Sequence, residues 1–455
     1  MISLPEKLVE TLKEAKGFDE DAFRKMHLSG EQITSVRINP SKPSKQFPDF
    51  SIPMSPIPWT GLGYYLSERP SFTFDPLFHA GTYYVQEASS MFLEQALKQT
   101  VDLSKPIKVL DLCAAPGGKS THIQSLISKD SLLVCNEVIR SRANVLKDNI
   151  IKWGCGNVVV TNNDPKDFSK LENYFDVIVI DAPCSGSGLF RRDPGAIEEW
   201  SENNVQLCSQ RQQRILADVW PALKLGGIII YSTCSYSKEE DEAILDWMMG
   251  ELVVDSCPLS VDSLWGIVSV QSAEGAYGYR FWPDKVKGEG FFIACFKKKA
   301  GEDDSTFRYK KKTEQASKKE IEFIEKWMKI DSLAFVKYFN TVYAWAEQHV
   351  KDFSFLLEQL RVIYSGILVG ELMRDKLVPD HALAMSNIIV EAIPRFELDY
   401  EQAILYLQRK DLKLEIEAKG WQLVTYKQHP LGWVNVLPNR INNYYPKELR
   451  ILKDK

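Results

Sequence analysis

The sequence lacks the patterns that mark several common classes of protein. None of its eight cysteines stands in a C-x-x-C pair, so it predicts neither a disulfide framework nor a zinc site. No apolar run approaches the roughly 20 residues of a membrane-spanning helix, and we expect a cytoplasmic protein without membrane contact or bound metal. The chain also has no G-x-G-x-x-G dinucleotide pattern, no P-loop and no internal repeat.

Strong positive charge is absent as well, because the net charge is −5 and the pI is about 5.9. An acidic average does not exclude nucleic acid as a partner, since binding depends on local patches. Residues 297–319 carry nine basic against four acidic residues, and residues 436–455 carry five against two. Taken alone, such runs favour a solvated surface over a binding site.

What the sequence does contain is an alternation of short β-branched runs with helical stretches from about residue 78 to residue 296. This alternation predicts an α/β fold with a doubly wound, mainly parallel sheet and a late antiparallel strand. Nearly continuous apolar runs are expected where helices cover both faces of such a sheet. The predicted strands are Lys108–Cys113, Leu132–Glu137, Val158–Asn162, Asp176–Asp181, Gly227–Ser232 and Phe291–Phe296.

Changes in composition predict five segments along the chain. A small N-terminal domain, residues 1–75, includes a proline-rich stretch from Pro40 to Pro58 that excludes a regular helix there. An α/β domain follows over residues 76–299, and residues 300–320 are predicted to be a basic linker. Helical patterns then predict a mainly helical domain over residues 321–389. Short strand-like pieces such as Trp421–Tyr426 predict a small β-rich module over residues 390–455.

The sharpest local pattern is the small-residue turn from Cys113 to Lys119, between the first predicted strand and a helix. Small residues there let the backbone approach a ligand at the carboxyl end of the strand. The next strands end near Glu137, which suits ribose hydroxyls, near Asp164, which suits an adenine edge, and at Asp181. Any one carboxylate is better explained as a helix cap. Together they predict a crevice for a nucleoside cofactor.

Two cysteines follow the fourth and fifth predicted strands, so both fall at the carboxyl edge where the cofactor is expected. Carbon 5 of cytosine is a poor nucleophile until a thiolate adds to carbon 6, and transfer to nitrogen or oxygen needs no such thiol. Cys184 and Cys234 therefore favour methylation of carbon. Asp181 is the candidate to favour a protonated ring at nitrogen 3. Spacing does not rank the two thiols.

These motifs resemble the Sun/nucleolar family of RNA cytosine-5 methyltransferases and, within it, the bacterial RsmF-like branch. The branch usually has Glu where Ser187 stands and His where Asp284 stands. The resemblance rests on residues 37–39, 79–87, 113–119, 181–186, 188–194, 233–234, 280–292 and, in the C-terminal part, 381–384, 406–407, 420–432 and 445–447.

The resemblance implies a Rossmann-like, S-adenosylmethionine-dependent methyltransferase sheet with a PUA-like RNA-binding region at its C-terminal end. It also implies that Cys234 is the nucleophile and that Cys184 promotes release. Cofactor contacts implied by the resemblance are Cys113, Ala114, Ala115, Pro116, Gly117, Gly118, Lys119, Glu137, Arg142, Asp164 and Asp181.

The resemblance further implies a cytosine in 16S ribosomal RNA of the small subunit as substrate, and we expect a monomer. Three alternatives remain open. The substrate could be a transfer RNA cytosine, or the chain could be a non-catalytic RNA-binding ribosome-assembly factor. A small-molecule methyltransferase is the third, although it leaves the C-terminal residues without a purpose.

Overall fold

The computed structural model describes residues 4–42, 52–300, 313–374, 376–412 and 419–454. Residues 301–312 of the predicted basic linker and residues 43–51 of the proline-rich stretch lie outside the described residues. In the described part of the chain, no helix has both the length and the apolar character needed to cross a membrane. Among the same residues, no group of three or more His, Cys, Asp or Glu side chains is placed to hold a metal ion.

The N-terminal region combines helices with a small antiparallel sheet, the N-terminal sheet, of strand order β2-β3-β1-β4. Its elements are α1 Glu6–Leu12, α2 Glu20–Leu28, β1 Thr34–Ile38, β2 Met54–Pro56, β3 Gly63–Leu66, α3 Pro76–His79, β4 Tyr83–Val85 and α4 Leu93–Thr100. Asp19 caps α2 by accepting a hydrogen bond from the backbone N–H of Ala22, which satisfies a free donor of the first turn.

The central region builds the large sheet of the molecule, the central sheet. Its elements are β5 Lys108–Asp111, α5 Gly118–Leu126, β6 Leu132–Asn136, α6 Arg140–Trp153, β7 Val158–Thr161, β8 Phe175–Asp181, α7 Gly195–Glu199, α8 Glu202–Val219, β9 Leu223–Thr233, α9 Glu242–Glu251, β10 Val254–Ser256, β11 Val268–Gln271, β12 Tyr277–Phe281 and β13 Phe291–Lys298. Every residue of β6 and β7 is buried, as their unbroken apolar runs predict.

The order of strands in the central sheet confirms the predicted doubly wound arrangement. Neighbours run β11-β12-β13-β9-β8-β5-β6-β7, with β5 to β9 parallel and β13 antiparallel to β9. The chain moves outward from β5 through β6 to β7 and then returns to the other side of β5 with β8. Ligands of such sheets bind where the direction reverses, at the carboxyl ends of β5 and β8.

The third region corrects the prediction that residues 321–389 are mainly helical. Three α-helices are present, but more of the residues lie in strands than in helices. Four of these strands form the third sheet together with β14, in the order β14-β15-β16-β18-β19. A short apolar run fits the period of a helix and the period of a strand equally well. Here the antiparallel pairing of β15 with β16 shows that these runs are strands. The elements are β14 Glu314–Gln315, α10 Lys318–Ile324, β15 Leu333–Tyr338, β16 Thr341–Ala346, α11 Val350–Gln359, β17 Val362–Ser365, β18 Ile367–Met373, β19 Lys376–Pro379 and α12 His381–Met385.

One strand of this third region belongs to the central sheet instead. β17 pairs antiparallel with β7 and covers the edge of the central sheet. The N–H of Asn162 donates to the carbonyl of Arg361, and the N–H of Arg361 donates to Oδ1 of Asn163, both at 3.0 Å. The C-terminal half of the molecule is thereby hydrogen-bonded to the central sheet.

The last region forms a fourth sheet, the C-terminal sheet, of order β20-β21-β22-β23. Its elements are β20 Arg395–Glu397, α13 Tyr400–Leu407, β21 Gly420–Tyr426, β22 His429–Leu437 and β23 Arg440–Asn443. The predicted strand at Trp421–Tyr426 is confirmed as β21. Asp399 and Gln402 form a capping box that starts α13.

Candidate functional site

The turn from Cys113 to Lys119 joins β5 to α5 at the edge of the sheet where the winding reverses. Gly117 has a φ of +114°, which a residue with a side chain adopts only with strain. Below the turn, the hydroxyl of Ser120 donates to Oδ2 of Asp111 at 2.6 Å. The other oxygen of Asp111 is buried without a hydrogen-bond partner among the described residues, and burial raises the pKa of this carboxyl to about 7.

Glu137 follows β6, the neighbour of β5 in the central sheet, and only 3% of the residue is exposed. Its Oε1 accepts from the N–H of Ile139 at 2.9 Å, and its Oε2 lies 3.3 Å from Nη1 of Arg142. Arg142 also donates to the carbonyl of Ala115 at 3.0 Å. Glu137 and the small-residue turn are therefore held in one hydrogen-bonded unit.

Asp164, the predicted adenine contact, lies after β7 and caps the short helix Pro165–Lys170. Its Oδ1 accepts from the N–H of Lys166 at 3.2 Å. The neighbouring Asn163 uses its side chain to bind Arg361 of the C-terminal half and Asp167. The structure thus gives Asp164 a capping role, and β17 stands beside the same strand end.

The two predicted cysteines meet at the ends of β8 and β9. Sγ of Cys184 and Sγ of Cys234 are 3.1 Å apart, and both side chains are half-buried. The hydrogen bond with Cys234 and burial raise the pKa of Cys184 well above its usual value. Cys184 is therefore held as a thiol within hydrogen-bond distance of the sulfur of Cys234.

Lys119 and Asp181 form an ion pair beside the cysteines. Nζ of Lys119 lies 2.8 Å from Oδ2 of Asp181, and the hydroxyl of Ser232 donates to Oδ1 at 2.8 Å. Burial acts to lower the pKa of Lys119, but the charge and hydrogen bond of Asp181 raise it above its usual value. The lysine is consequently a fixed cation near Cys234, and nearby cations stabilise thiolates.

A buried carboxyl, Glu240, connects the loops that carry the two cysteines. Its Oε1 accepts from the backbone N–H of Ser185 at 2.8 Å, and its Oε2 accepts from the hydroxyls of Ser185 at 2.5 Å and Ser235 at 2.7 Å. Each serine directly follows a cysteine, Cys184 or Cys234. By binding both loops, Glu240 fixes the spacing of the two sulfur atoms.

The N-terminal sheet contributes the support of α5. Arg37 on β1 is fully buried and donates to Oγ1 of Thr121 at 2.6 Å and to Oε1 of Gln86 at 2.8 Å. Burial lowers its pKa to about 9. The helix that follows the small-residue turn is thus held in place by a residue of the N-terminal region.

These elements enclose a cavity of about 300 Å³ at the carboxyl edge. Of the predicted site residues, it brings together Cys113, Ala114, Ala115, Pro116, Gly118, Lys119, Asp181 and Cys234. Five others lie around this lining rather than in it: Gly117, Glu137, Arg142, Asp164 and Cys184. The rest of the wall consists of residues that sequence reasoning did not assign to the site: Tyr84, Val85, Gln86, Glu87, Ser90, Leu189, Arg192, Glu289, Gly290 and Phe291.

Most of the unassigned wall residues had a signal in the sequence. Tyr84 to Glu87 and residues 280–292 stand among the motifs that carry the family resemblance, but no role followed from the motif alone. Leu189 and Arg192 stand in another of these motifs, residues 188–194. Glu240 had a weaker signal, because charged residues near strand ends and in loops are common. The fold is what brings them to the cavity.

The cavity fits a nucleoside cofactor. The turn at Gly117 and Gly118 exposes backbone to the crevice, Glu137 offers carboxylate oxygens at the next strand end, and Asp111 has an oxygen without a partner among the described residues. Beside it stands a pair of thiols near a lysine cation. Such a site can bring a group donor close to a thiolate nucleophile.

Family models match three parts of the chain. The model of the 16S rRNA methyltransferase RsmB/F family matches residues 98–297, which contain the small-residue turn and both cysteines. The model of the N-terminal domain of 16S rRNA methyltransferase RsmF matches residues 4–88. The model of the methyltransferase RsmF PUA domain matches residues 393–451, where the sequence resemblance implies a PUA-like region.

Curated relatives match along nearly their whole length. Ribosomal RNA small subunit methyltransferase F of Shewanella piezotolerans is 30% identical over 438 residues, which cover 92% of this chain and 91% of the relative. The protein of the same name from Aeromonas salmonicida is 31% identical over 444 residues, which cover 91% and 90%.

Solved structures confirm the fold class. A methyltransferase homolog protein from Pyrococcus horikoshii is 26% identical, with a TM-score of 0.52, over 65% of this chain and 100% of that chain. NSun6 from the same organism, solved with SFG, is 19% identical with a TM-score of 0.56, over 66% and 100%. The models, the relatives and the fold agree with the resemblance read from the motifs: the chain belongs to the 16S rRNA methyltransferase RsmB/F family and is an S-adenosylmethionine-dependent RNA methyltransferase.

Proposed function

We propose that the protein methylates carbon 5 of a cytosine in small-subunit ribosomal RNA, with Cys234 as the nucleophile and Cys184 as the residue that promotes release. The observation that carries the proposal is the pair of sulfur atoms 3.1 Å apart beside the small-residue turn. The names of the curated relatives support ribosomal RNA of the small subunit as the substrate.

The cofactor supplies a methyl group bonded to a positively charged sulfur. In the protein, Cys113 to Lys119, Glu137 and Arg142 hold it at the carboxyl edge. Asp164 supports the adenine end from its capping position. Lys119 stabilises the thiolate of Cys234, which adds to carbon 6 of the base and makes carbon 5 nucleophilic. Asp181, as a carboxylate, favours the protonated ring.

Release requires the proton on carbon 5 to leave. Its electron pair re-forms the bond between carbons 5 and 6, and the pair of the carbon–sulfur bond returns to Cys234. The hydrogen bond with Cys234 is the largest cause that raises the pKa of Cys184. Once the sulfur of Cys234 is a neutral thioether, that cause is removed and Cys184 gives up its own proton to water more easily. Cys184 is then suited to accept the proton from carbon 5.

We assign the binding of RNA to separate segments of the chain. The N-terminal RNA-binding domain assigned to residues 1–75 is completed by β4, Tyr83–Val85, and the catalytic domain follows to residue 299. The linker assigned to residues 300–320 ends before β14, which with α10 belongs to the intermediate domain that reaches residue 389. Residues 390–455 form a PUA-like domain that binds RNA as part of a monomer. Base flipping delivers a stacked or paired cytosine to the cavity.

Three variants test the roles of the thiols. We expect Cys234→Ala to form no 5-methylcytosine in a 16S rRNA transcript, because no adduct at carbon 6 can form. Cys184→Ala should accumulate a covalent protein–RNA complex that survives a denaturing gel. Cys257→Ala, a half-buried cysteine outside the cavity, is the control and should match the wild type. Methyl transfer by Cys234→Ala would contradict the proposal.

The RNA class is tested by bisulfite sequencing of ribosomal and transfer RNA from a strain that lacks the gene. We expect the loss of 5-methylcytosine at a position of small-subunit ribosomal RNA. Loss in transfer RNA alone would assign the enzyme to the alternative substrate class.

A further inference from the structure

A second cleft of the molecule, the edge cleft, lies between the third sheet and the edge strand β17. It shares no lining residue with the cavity that holds Cys234. Its volume is about 670 Å³, which falls within the range of roughly 300–1,000 Å³ that is usual for ligand sites. Tyr343 and Trp345 of β16, Leu357 of α11 and Ile363 of β17 are among the residues that line it. An apolar lining with aromatic rings suits a flat aromatic group.

Two aromatic side chains of this lining extend into solvent. Tyr338 is 70% exposed and Phe339 is 79% exposed, and their ring centroids are 4.9 Å apart. Met373, which is 58% exposed, lies close by, because the N–H of Leu372 donates to the carbonyl of Asn340 at 2.8 Å. Single exposed apolar residues are common, but three at one end of a sheet form a patch, and such patches mark interaction sites.

The backbone at Phe339 shows that the fold does not require an aromatic residue there. Tyr338 pairs with Thr341, so Phe339 and Asn340 form a two-residue turn, and Phe339 has a φ of +55°. Such turn positions favour Gly or Asn, because a bulky side chain is strained at positive φ. The ring of Phe339 strains its turn and stays largely outside the core, as expected of a side chain that serves binding.

One cation of the edge cleft has no balancing charge among the described residues. Nζ of Lys337 lies 3.1 Å from a carboxylate oxygen of Glu314 and 2.9 Å from one of Glu320, so the charge of Lys337 is neutralised. Arg361 is exposed, and its guanidinium forms no ion pair within the described part of the chain. Exposed aromatic rings beside an open cation are the combination that binds unpaired nucleotides.

The edge cleft adjoins the edge of the central sheet that carries the two cysteines. The backbone of Arg361 is hydrogen-bonded to Asn162 and Asn163, at the carboxyl end of β7. The sheet order β9-β8-β5-β6-β7-β17 separates the strand before Cys234 from β17 by five spacings, or about 24 Å at roughly 4.8 Å each. A short unpaired segment of RNA can therefore reach both sites.

We propose that the edge cleft is a further RNA-binding site, in which Tyr338 and Phe339 stack on an unpaired base of the substrate RNA and Arg361 binds its phosphate. The proposal rests on the RNA methyltransferase activity of the family and not on the roles proposed for Cys184 and Cys234. Because aromatic stacking accepts every base, the cleft holds the RNA near the cavity without reading its sequence.

Phe339→Asn separates a binding role from a structural role, because the two predict different results. Asn tolerates a positive φ, so the midpoint of denaturant unfolding should stay the same or rise. The Kd of a 16S rRNA transcript should rise about 10-fold, because one base loses a stacking partner. Phe339→Tyr keeps a ring and should bind like the wild type. The matched control is Leu264→Asn, which changes a side chain of similar exposure in the short helix before β11.

Arg361→Gln tests the phosphate contact. Its Kd should rise, and the slope of log Kobs against log salt concentration should fall by about 1, because one fewer counterion is released. Phe339→Asn should leave that slope unchanged, since the ring carries no charge. Neither variant alters the cavity with the cysteines, so kcat at saturating RNA should stay at the wild-type value. The same series with total transfer RNA covers the alternative substrate class.

Cross-linking locates the contact directly. A transcript in which 5-iodouridine replaces uridine should cross-link to the peptide that carries Tyr338 and Phe339. An unchanged Kd of Phe339→Asn for both RNAs, a lower unfolding midpoint as its only effect, or cross-links confined to other regions would overturn the proposal. Loss of self-association without a change in Kd would assign the patch to a second copy of the chain instead.

Binding is measured without S-adenosylmethionine. Failure of the proposed methylation at carbon 5 would therefore leave these results unchanged, and it would appear separately as the absence of 5-methylcytosine in RNA treated with the wild type.

Discussion

At the scale of single residues, Glu240 shows how one buried side chain can set the geometry of two reactive ones. It accepts hydrogen bonds from Ser185 and Ser235, the residues that follow the two cysteines, and from Nε2 of Gln212 at 3.2 Å. Ser187, which stands where the family branch usually has Glu, is nearby and accepts from the N–H of Tyr236 at 2.9 Å. Because Ser187 has no carboxyl, Glu240 is the carboxyl that binds the loops of Cys184 and Cys234.

Glu240→Gln should lower kcat by about 10-fold or more with little change in the KM for RNA, because an amide cannot accept from all of these donors and the two sulfur atoms separate. Leaving a buried donor unpaired should also cost about 1–3 kcal/mol of unfolding free energy. Steady-state kinetics and denaturant unfolding measure the two effects. Glu239→Gln, whose carboxylate makes none of these contacts, is the control, and an equal loss of kcat there would contradict the positioning role.

The sequence predicted the reactive side chains better than it predicted their supports. Cys184, Cys234 and Asp181 follow strand ends, so parallel pairing of β8 and β9 brings them together. Glu240 comes from the short helix Lys238–Glu240 and binds Ser185, which lies 55 residues earlier in the chain. Its role depends on which loops pack together, and no local periodicity carries that information.

At the scale of elements, the carboxyl ends of β5 to β9 were predictable because buried parallel strands have unbroken apolar runs. β15 and β16 were not, because aromatic residues such as Phe335 and Tyr343 satisfy helical and strand spacing equally well in short segments. β17 was even harder to predict from the sequence. Its partner β7 precedes it by about half of the chain, and pairing at that separation leaves no local signal.

The turn between β17 and β18 offers a test of that edge strand. Gly366 has a φ of +63°, and a Cβ there would lie 2.4 Å from the carbonyl oxygen of Ala344. Gly275 also has a positive φ, +84°, but open space around it. We expect Gly275→Ala to cost about 1 kcal/mol of unfolding free energy and Gly366→Ala about 3 kcal/mol or more, because only the second adds a clash to the strain.

Denaturant unfolding compares the two alanine variants, and hydrogen exchange locates the effect. Amides of β7 should exchange faster in Gly366→Ala than in Gly275→Ala, because β17 is held less firmly against them. Equal stability of the two variants would mean that this turn relaxes without disturbing the edge of the sheet.

At the scale of the whole molecule, an acidic protein must bind RNA through local cations. The region matched by the PUA model has a cavity of about 500 Å³, and the cations that line it are Arg409, Lys410 and Lys447. Arg409 donates to the carbonyl of Tyr445 and Lys410 pairs with Asp454, so Lys447, which is exposed, is best placed to meet a phosphate.

Lys447→Ala should weaken RNA binding and reduce the slope of log Kobs against log salt concentration by about 1, because one fewer counterion is released. kcat at saturating RNA should be unchanged, since the cavity with the cysteines is intact. Binding measured across a salt series provides the slope. The control is Lys129→Ala, an exposed lysine before β6 at the opposite, amino end of the strands, and a matching change there would argue against a specific contact.

The placement of β17 also bears on how the protein is made. Residues 362–365 leave the ribosome after every other strand of the central sheet, so for a time the nascent sheet has β7 as an open edge with unpaired N–H and C=O groups. Open edges recruit strands from other chains, and chains fold from the N-terminal end during synthesis. The exposed edge belongs to the growing chain and not to the finished enzyme, and translation past β17 is the step that removes it.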